Sequence, residues 1–445
     1  MSATLPAPPA VPIARETSTD RSPRPNTARL GWLDGLRGIA ALLVALHHFG
    51  LLPNWFSWGK AVEQHFDLGM YAVMLFFLVS GYIVPASLER RGDVREFWVG
   101  RIFRIYPLVI VAVTLAALLL PAQYSAVPSQ VTDRPFWAYL ANLTLLHEMT
   151  NIASALGSMW TLCYEMVFYF FVTALFVQGR HRRSAPVSLF FAGAALLLGA
   201  WWRPALITPK APWVAPGPTH HIIAATALVM LTGLVLIMLG RPELVRTGAM
   251  VLGGLGAALL FLNARSTFFE SMTILATMFA GTVVFRAEQG QIDRTLAWIC
   301  CAFVLTAGFL VGYFYDNAKA QQITWTGSWQ AYSLAYAGAW LTFGLGMLLR
   351  HRRWPRVLTW LGRISYSVYL VHLPVLWATW WFKDKVVHFP ATGAGRWLLP
   401  AFFVAMVLLF SELTYRLVEI PGQKLGKRVA AALNRPTAAS TADGA

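Results

Sequence analysis

The stretch Leu33-Asp-Gly-Leu-Arg-Gly-Ile-Ala-Ala-Leu-Leu-Val-Ala-Leu-His-His-Phe-Gly50 is apolar enough to cross a bilayer, yet it carries Asp34, Arg37, His47 and His48. A charged side chain inside a membrane span is costly, so its presence points to function. Arg37 and His48 are eleven residues apart, close to three turns of a helix, so they share one face about 16 Å apart along its axis. Ala41 and Val44 lie between them on that face, small enough for another helix or a ligand to approach. Each polar residue has a plainer alternative: Arg37 snorkelling to a lipid headgroup, His48 as a satisfied interfacial histidine. Together on one face, they favour function.

The 445-residue chain around this stretch is 57% hydrophobic and 13% charged, about half the charged fraction of a soluble globular protein. With 19 Trp and 28 Phe, it reads as an all-α polytopic membrane protein. Apolar runs fall at about 33–52, 68–87, 104–121, 158–177, 186–202, 221–240, 247–263, 268–286, 296–315, 331–349, 363–382 and 397–417. The runs at 186–202 and 247–263 are short and rich in Gly and Ala, so the expectation is about 10–12 transmembrane helices. The segment 136–147 is too short to span and is expected to lie in the interface or re-enter. Residues 1–30 read as a disordered cytoplasmic tail, 31–421 as one membrane domain, and 422–445 as a C-terminal cytoplasmic tail, disordered from about Ala430.

A net charge of +16 could suggest nucleic acid, but the basic residues sit in short clusters between apolar runs. With the N-terminus in the cytoplasm, the inner loops collect 26 Lys and Arg against 9 outside. That is the positive-inside pattern, so both termini are expected to be cytoplasmic and the basic clusters to serve the bilayer, not nucleic acid. Cys163, Cys300 and Cys301 fall in or beside apolar segments, and neither a disulfide framework nor a metal-ligand spacing can be built from them.

Four further constellations could do chemistry. Arg101 and Arg104, three apart, open an apolar helix, where paired guanidiniums could grip phosphates; with Arg37 at the same depth, three arginines would make a polyphosphate site. Arg90, Arg91 and Arg95 just before them need only positive-inside topology. Ser80-Gly81 in the second run is a packing device first and a site-lining element second. Glu165 in the fourth run lies about 10 Å below the outer surface by helical rise, and His48 about 6 Å below it, so the carboxylate could orient the imidazole. Alternatively Glu165 pairs with an arginine for structure. Ser365, Tyr369 and His372 share a stripe, with His372 a core histidine before a site residue. Glu412 is expected to pair with a buried arginine, and Glu419 to partner the inner basic cluster.

In this order the residues resemble the acyltransferase 3 family of integral membrane acyltransferases. The matches are Leu33-Asp-Gly-Leu-Arg-Gly with Arg37-x10-His48, Phe77-x-x-Ser-Gly-Tyr82, Arg101-x-x-Arg-Ile-Tyr-Pro107, Trp160-x-Leu-x-x-Glu165-x-x-Phe-Tyr169, Ile364-Ser-Tyr-x-x-Tyr-Leu-x-His372 and Glu419-x-Pro421. Thr161 stands where a serine is usual, and Ile420 where a basic residue is common. The resemblance implies an O-acyltransferase acting on a carbohydrate hydroxyl of the cell envelope, in a bacterial inner membrane. Acyl-coenzyme A would be the donor substrate, the acyl group most simply acetyl, with no permanently bound cofactor and no metal. It implies that Arg37, His48 and the Arg101/Arg104 pair are essential; on our reading of the residues Arg37 and His48 are catalytic and Glu165 orients the histidine. Arg37, Arg101 and Arg104 would hold the donor phosphates, and Asp34, Ser80, Tyr106, Trp160 and His372 would line the substrate path. The rival class is a transporter or flippase, which also uses buried Arg, His and Glu.

Overall fold

A computed structural model of the chain describes residues 28–119, 135–199, 201–203, 205–208, 219–316, 326–390 and 392–434. The expected N-terminal tail, but for residues 28–30, and the end of the C-terminal tail lie outside these. Seventeen helices occur among the described residues, and no strand. They are α1 (Ala28–Phe49), α2 (Leu51–Trp55), α3 (Gly59–Glu63), α4 (Leu68–Arg91), α5 (Val94–Leu119) and α6 (Pro135–Leu143). Then follow α7 (Trp160–Val177), α8 (Ser184–Leu198), α9 (Thr219–Met238), α10 (Pro242–Leu262), α11 (Phe268–Glu288) and α12 (Arg294–Val311). The chain closes with α13 (Trp329–Leu348), α14 (Arg356–Arg363), α15 (Ser365–Lys385), α16 (Leu398–Thr414) and α17 (Ile420–Leu433).

Each of the twelve apolar runs is helical over most of its described residues. Eight helical stretches among the described residues are long and apolar enough to cross a membrane. The helix α8 is apolar but only 15 residues long. The helices α1, α13 and α15 have the length, at 22, 20 and 21 residues, but their polar and small residues lower their hydropathy. The molecule is thus an all-α polytopic membrane protein.

The helix α11 is the hub: it is buried without interruption from Phe268 to Val283, packed among α4, α7, α8 and α12. Glycines let it meet α4 backbone to backbone. A Cβ at Gly81 would lie 1.9 Å from the Met278 carbonyl oxygen, and one at Gly281 2.3 Å from that of Leu78. Thr282 Oγ1 donates to the Gly81 carbonyl at 2.8 Å across the same crossing. This is the packing role expected of Ser80-Gly81. A second group forms around α1, which lies against α4, α14 and α15.

Two local features place the histidines. Gly50, with φ of 70°, ends α1 in the left-handed region that glycine tolerates, so His47 and His48 occupy its last turn. The next long helix begins at Asp67, whose Oδ1 accepts from the Met70 amide at 2.6 Å as an N-cap.

Between α6 and α7 the chain re-enters the bundle. Residues 144–156 are all buried, with helical turns only at His147–Thr150. Irregular backbone at such depth survives only where protein satisfies its polar groups. Asn142 does so, donating to the Ala138 and Ala153 carbonyls at 2.9 and 3.2 Å and accepting from the Ala155 amide at 2.9 Å. Asn263 donates to the Met149 carbonyl at 3.0 Å, and His147 Nε2 meets Ser154 Oγ at 2.8 Å. At the other end of the chain, helix α17 runs to Leu433, four residues into the stretch expected to be disordered. Its Gly422 and Gly426 seat it on Phe103 and Pro107 of α5, which explains the order.

Candidate active site

Helix α1 carries the site at both ends. Near its start Arg37 is half-buried, and the charged groups acting on it are Arg104, Asp34, Glu165 and Glu419. Arg104 comes from α5, Glu165 from α7 and Glu419 from the π-turn before α17, so four segments converge on one guanidinium. Arg101 is buried, its guanidinium 5.0 Å from the ring centres of both Phe97 and Tyr169. Such stacking holds a desolvated arginine in place. The Tyr169 hydroxyl donates in turn to Glu165 Oε1. Glu419, also buried, accepts from Ser367 Oγ, and Tyr366 donates to the Ile105 carbonyl at 2.8 Å. Arg37, Arg101 and Arg104 are therefore gathered at one end, balanced by Asp34, Glu165 and Glu419.

At the far end of α1, the His48 side chain is exposed. Its Nδ1 lies 2.9 Å from the Val44 carbonyl oxygen, which can only accept, so Nδ1 carries the proton and Nε2 is the free base. His47 meets it edge-on with centroids 5.4 Å apart, and His372 of α15 lies on its other side at 5.1 Å. Asp67 is the carboxylate acting on His48. Below His372, the Tyr369 hydroxyl donates to the Ser158 carbonyl at 2.8 Å and meets Thr161 Oγ1 at 2.6 Å, tying α15 to the start of α7.

Three expectations need correcting. Glu165 does not orient His48: its hydroxyl partner is Tyr169, and its field falls on Arg37. Helical rise alone does not place Glu165 beside His48, because a buried irregular segment, residues 144–156, precedes α7. His372 does not line an open path, being fully buried behind His48. Glu412 pairs not with a buried arginine but with the exposed Arg416 at 2.5 Å, and accepts from Trp360 Nε1 at 2.9 Å.

The remaining expected positions spread between the two ends. Asp34 is half-buried among Arg37, Arg104 and Arg363. Ser80 and Tyr106 are half-buried on α4 and α5. In α7, Trp160 and Glu165 are the only positions from 160 to 170 that are not buried. A half-buried carboxylate on a helix otherwise packed in protein belongs with the bundle's polar interior and not with hydrocarbon. On α1 itself, Ala41 and Val44 are buried under neighbouring helices, so the small face between the two ends is filled by protein. Two residues were missed as site components. Tyr169 was legible, four residues after Glu165 on the same helix face. Asp67 was not, since its sequence signal is only that of a cap.

Residues 30–416 match the family model Acyl_transf_3, described as an acyltransferase domain. Among curated proteins, the chain is 22% identical over 412 residues to the peptidoglycan O-acetyltransferase OatA of Listeria monocytogenes, covering 88% of this chain and 56% of that protein. It is 32% identical over 152 residues to the acyltransferase MdmB of Streptomyces mycarofaciens, covering 33% of this chain and 38% of the other. The chain thus spans about half the length of the first relative and less of the second. No solved structure matches.

Proposed function

Because the chain belongs to the acyltransferase 3 family, we propose that it is a membrane O-acyltransferase moving an acyl group, acetyl in the first instance, from acyl-coenzyme A to a glycan hydroxyl. The observation that carries this reading is helix α1, which holds an arginine cluster at one end and an accessible free-base imidazole at the other. Both termini are cytoplasmic in this reading, and the membrane is the bacterial inner membrane. The cytoplasmic end then offers Arg37, Arg101 and Arg104 to the coenzyme A phosphates. Arginine suits this because its planar fork matches phosphate oxygens and keeps its charge when partly desolvated. The carboxylates Glu165, Asp34 and Glu419 keep the three guanidiniums from repelling one another when no donor is bound.

At the outer end, His48 Nε2 accepts the proton of the acceptor hydroxyl as its oxygen attacks the acyl carbon. The new C–O bond forms as the C–S bond of the thioester breaks, and the proton passes on to the departing thiolate. The name of the Listeria relative makes peptidoglycan the first acceptor to try.

The test is acyl transfer from radiolabelled acetyl-coenzyme A to a muropeptide by the purified full-length chain. His48→Ala is expected to lose about 10²–10⁴-fold in transfer, the usual worth of acid–base assistance, while still binding donor. His47→Ala, which removes a ring packed against Gly69, keeps most activity. Full transfer by His48→Ala would sink the catalytic assignment, and the absence of any transfer by the unaltered chain would sink the enzyme reading.

A further inference from the structure

Helix α14 lies alongside the first turns of α1 and runs in the same direction. A Cβ at Gly31 would meet the Thr359 methyl at 3.6 Å, and one at Gly362 would lie 2.0 Å from the Asp34 carbonyl oxygen. Gly38 belongs to the same contact, where a Cβ would meet the Gly362 amide nitrogen at 2.7 Å. Two backbones therefore touch at the arginine cluster, with Arg37 beside Gly38 on one strand of the contact and Arg363 beside Gly362 on the other. The start of α15 is tied to the same place, since Tyr366 donates to the Ile105 carbonyl, next to Arg104, and Ser367 donates to Glu419. Arg37, Arg104 and Arg363 are the cations acting on Asp34, so one carboxylate lies in the field of all three. Arg363 is exposed, and its guanidinium makes no ion pair among the described residues. The other carboxylate its charge reaches, Glu412, is already held by Arg416 and Trp360.

Charge indicates what such a cation could serve. Arg37, Arg101 and Arg104 are matched by Asp34, Glu165 and Glu419, which leaves the inner cluster close to neutral. A coenzyme A donor brings one negative charge on each phosphate of its diphosphate and about two on the phosphate of its ribose. Its pantetheine arm leads from the diphosphate to the thioester, so the diphosphate enters first and the ribose phosphate stays at the mouth. We propose that Arg363 binds that ribose phosphate and so selects the phosphorylated coenzyme, an assignment that rests on acyl-coenzyme A being the donor in the reaction above. The exposed guanidinium at the edge of the cluster offers a two-pronged grip to a group that remains partly in water. Positive-inside topology also accounts for an arginine on α14, but it does so equally at any place along the helix. Arg356 supplies the comparison. It is exposed on the same helix, seven residues and nearly two whole turns before Arg363, hence on the same face and about 10 Å away. Topology treats the two arginines alike, whereas phosphate binding singles out the one beside Asp34.

The experiment measures kcat and KM for acetyl-coenzyme A and for acetyl-dephospho-coenzyme A, which lacks only the ribose phosphate. The unaltered chain, Arg363→Ala, Arg363→Gln and Arg356→Ala are compared, each full-length in lipid nanodiscs, with a muropeptide as acceptor. The unaltered chain is expected to show a KM about 10-fold lower for the phosphorylated donor, the usual worth of a hydrogen bond to a charged group. Arg363→Ala is expected to raise that KM about 10-fold while its KM for the dephospho donor and both kcat values stay in place. Arg356→Ala is expected to change neither KM. Equal rises for both donors in Arg363→Ala, or equal effects of Arg363→Ala and Arg356→Ala, mean a general charge or packing role and overturn the assignment. An unaltered chain that uses the two donors equally well overturns it too. If Arg363→Ala fails to insert, Arg363→Gln, neutral and nearly as long, decides by the same pair of KM values: a lost preference supports the assignment, and a kept one overturns it. No transfer from either donor by the unaltered chain overturns the reading beneath, whereas transfer with donor preference unmoved in the Arg363 variants overturns only the assignment of Arg363.

Discussion

Arg101 shows how much a single side chain's surroundings add to its type. Its charge alone fits the positive-inside pattern, but the structure clamps the guanidinium between Phe97 and Tyr169. Tyr169 then bonds Glu165, whose field reaches Arg37, so the three are links of one chain. Arg101→Lys keeps the charge and loses both the planar stack and the two-pronged grip. In the proposed enzyme it is expected to raise KM for acetyl-coenzyme A by about 10-fold, since one tenfold step is roughly 1.4 kcal/mol and cation–π contacts between desolvated groups reach about 2 kcal/mol. Kinetics at varied donor concentration check this, and an unchanged KM would leave Arg101 with topology as its only role. The face shared by Arg37 and His48 was legible in the sequence because a continuous helix converts spacing directly into direction. The partners of Glu165 were not, because they depend on how α7 packs against α1 and α5.

Among the elements, the crossing of α4 and α11 is where the sequence is least free. Gly81 and Gly281 lie so close to the opposing backbone that no side chain fits at either position. Gly81→Ala would set a Cβ 1.9 Å from the Met278 carbonyl oxygen and force the helices apart. Overpacking of this kind typically costs about 1–3 kcal/mol. The variant is therefore expected to show a lower unfolding midpoint and a reduced monodisperse fraction in size-exclusion chromatography, with no change in the intrinsic chemistry of any residue. Native stability in Gly81→Ala would mean that the crossing relaxes at no cost. Small residues in a span advertise close packing, so that much could be read in advance. Which helix fills the notch could not, since six other helices lie between α4 and α11 along the chain.

At the scale of the whole molecule, the alternation of basic clusters predicts orientation. With the N-terminus inside, Gly92 between α4 and α5 faces the cytoplasm and Gly393 before α16 faces outward. Single cysteines at these two positions, labelled in intact cells with a membrane-impermeant maleimide, are expected to react at 393 and not at 92. The reverse pattern would put the arginine cluster outside, away from cytoplasmic coenzyme A, and the donor assignment would fall with it. The sequence by itself determined the helices, because runs of apolar residues of membrane length have no other way to satisfy their backbone. It also determined the two-ended character of α1, through the helical period. What only the tertiary structure decided is which residues meet: Glu165 with Arg37, His372 behind His48, Asp67 beside the histidines. Those meetings follow from a buried irregular segment ahead of α7 and from glycine contacts that set how helices cross, and neither is encoded in any one segment's periodicity.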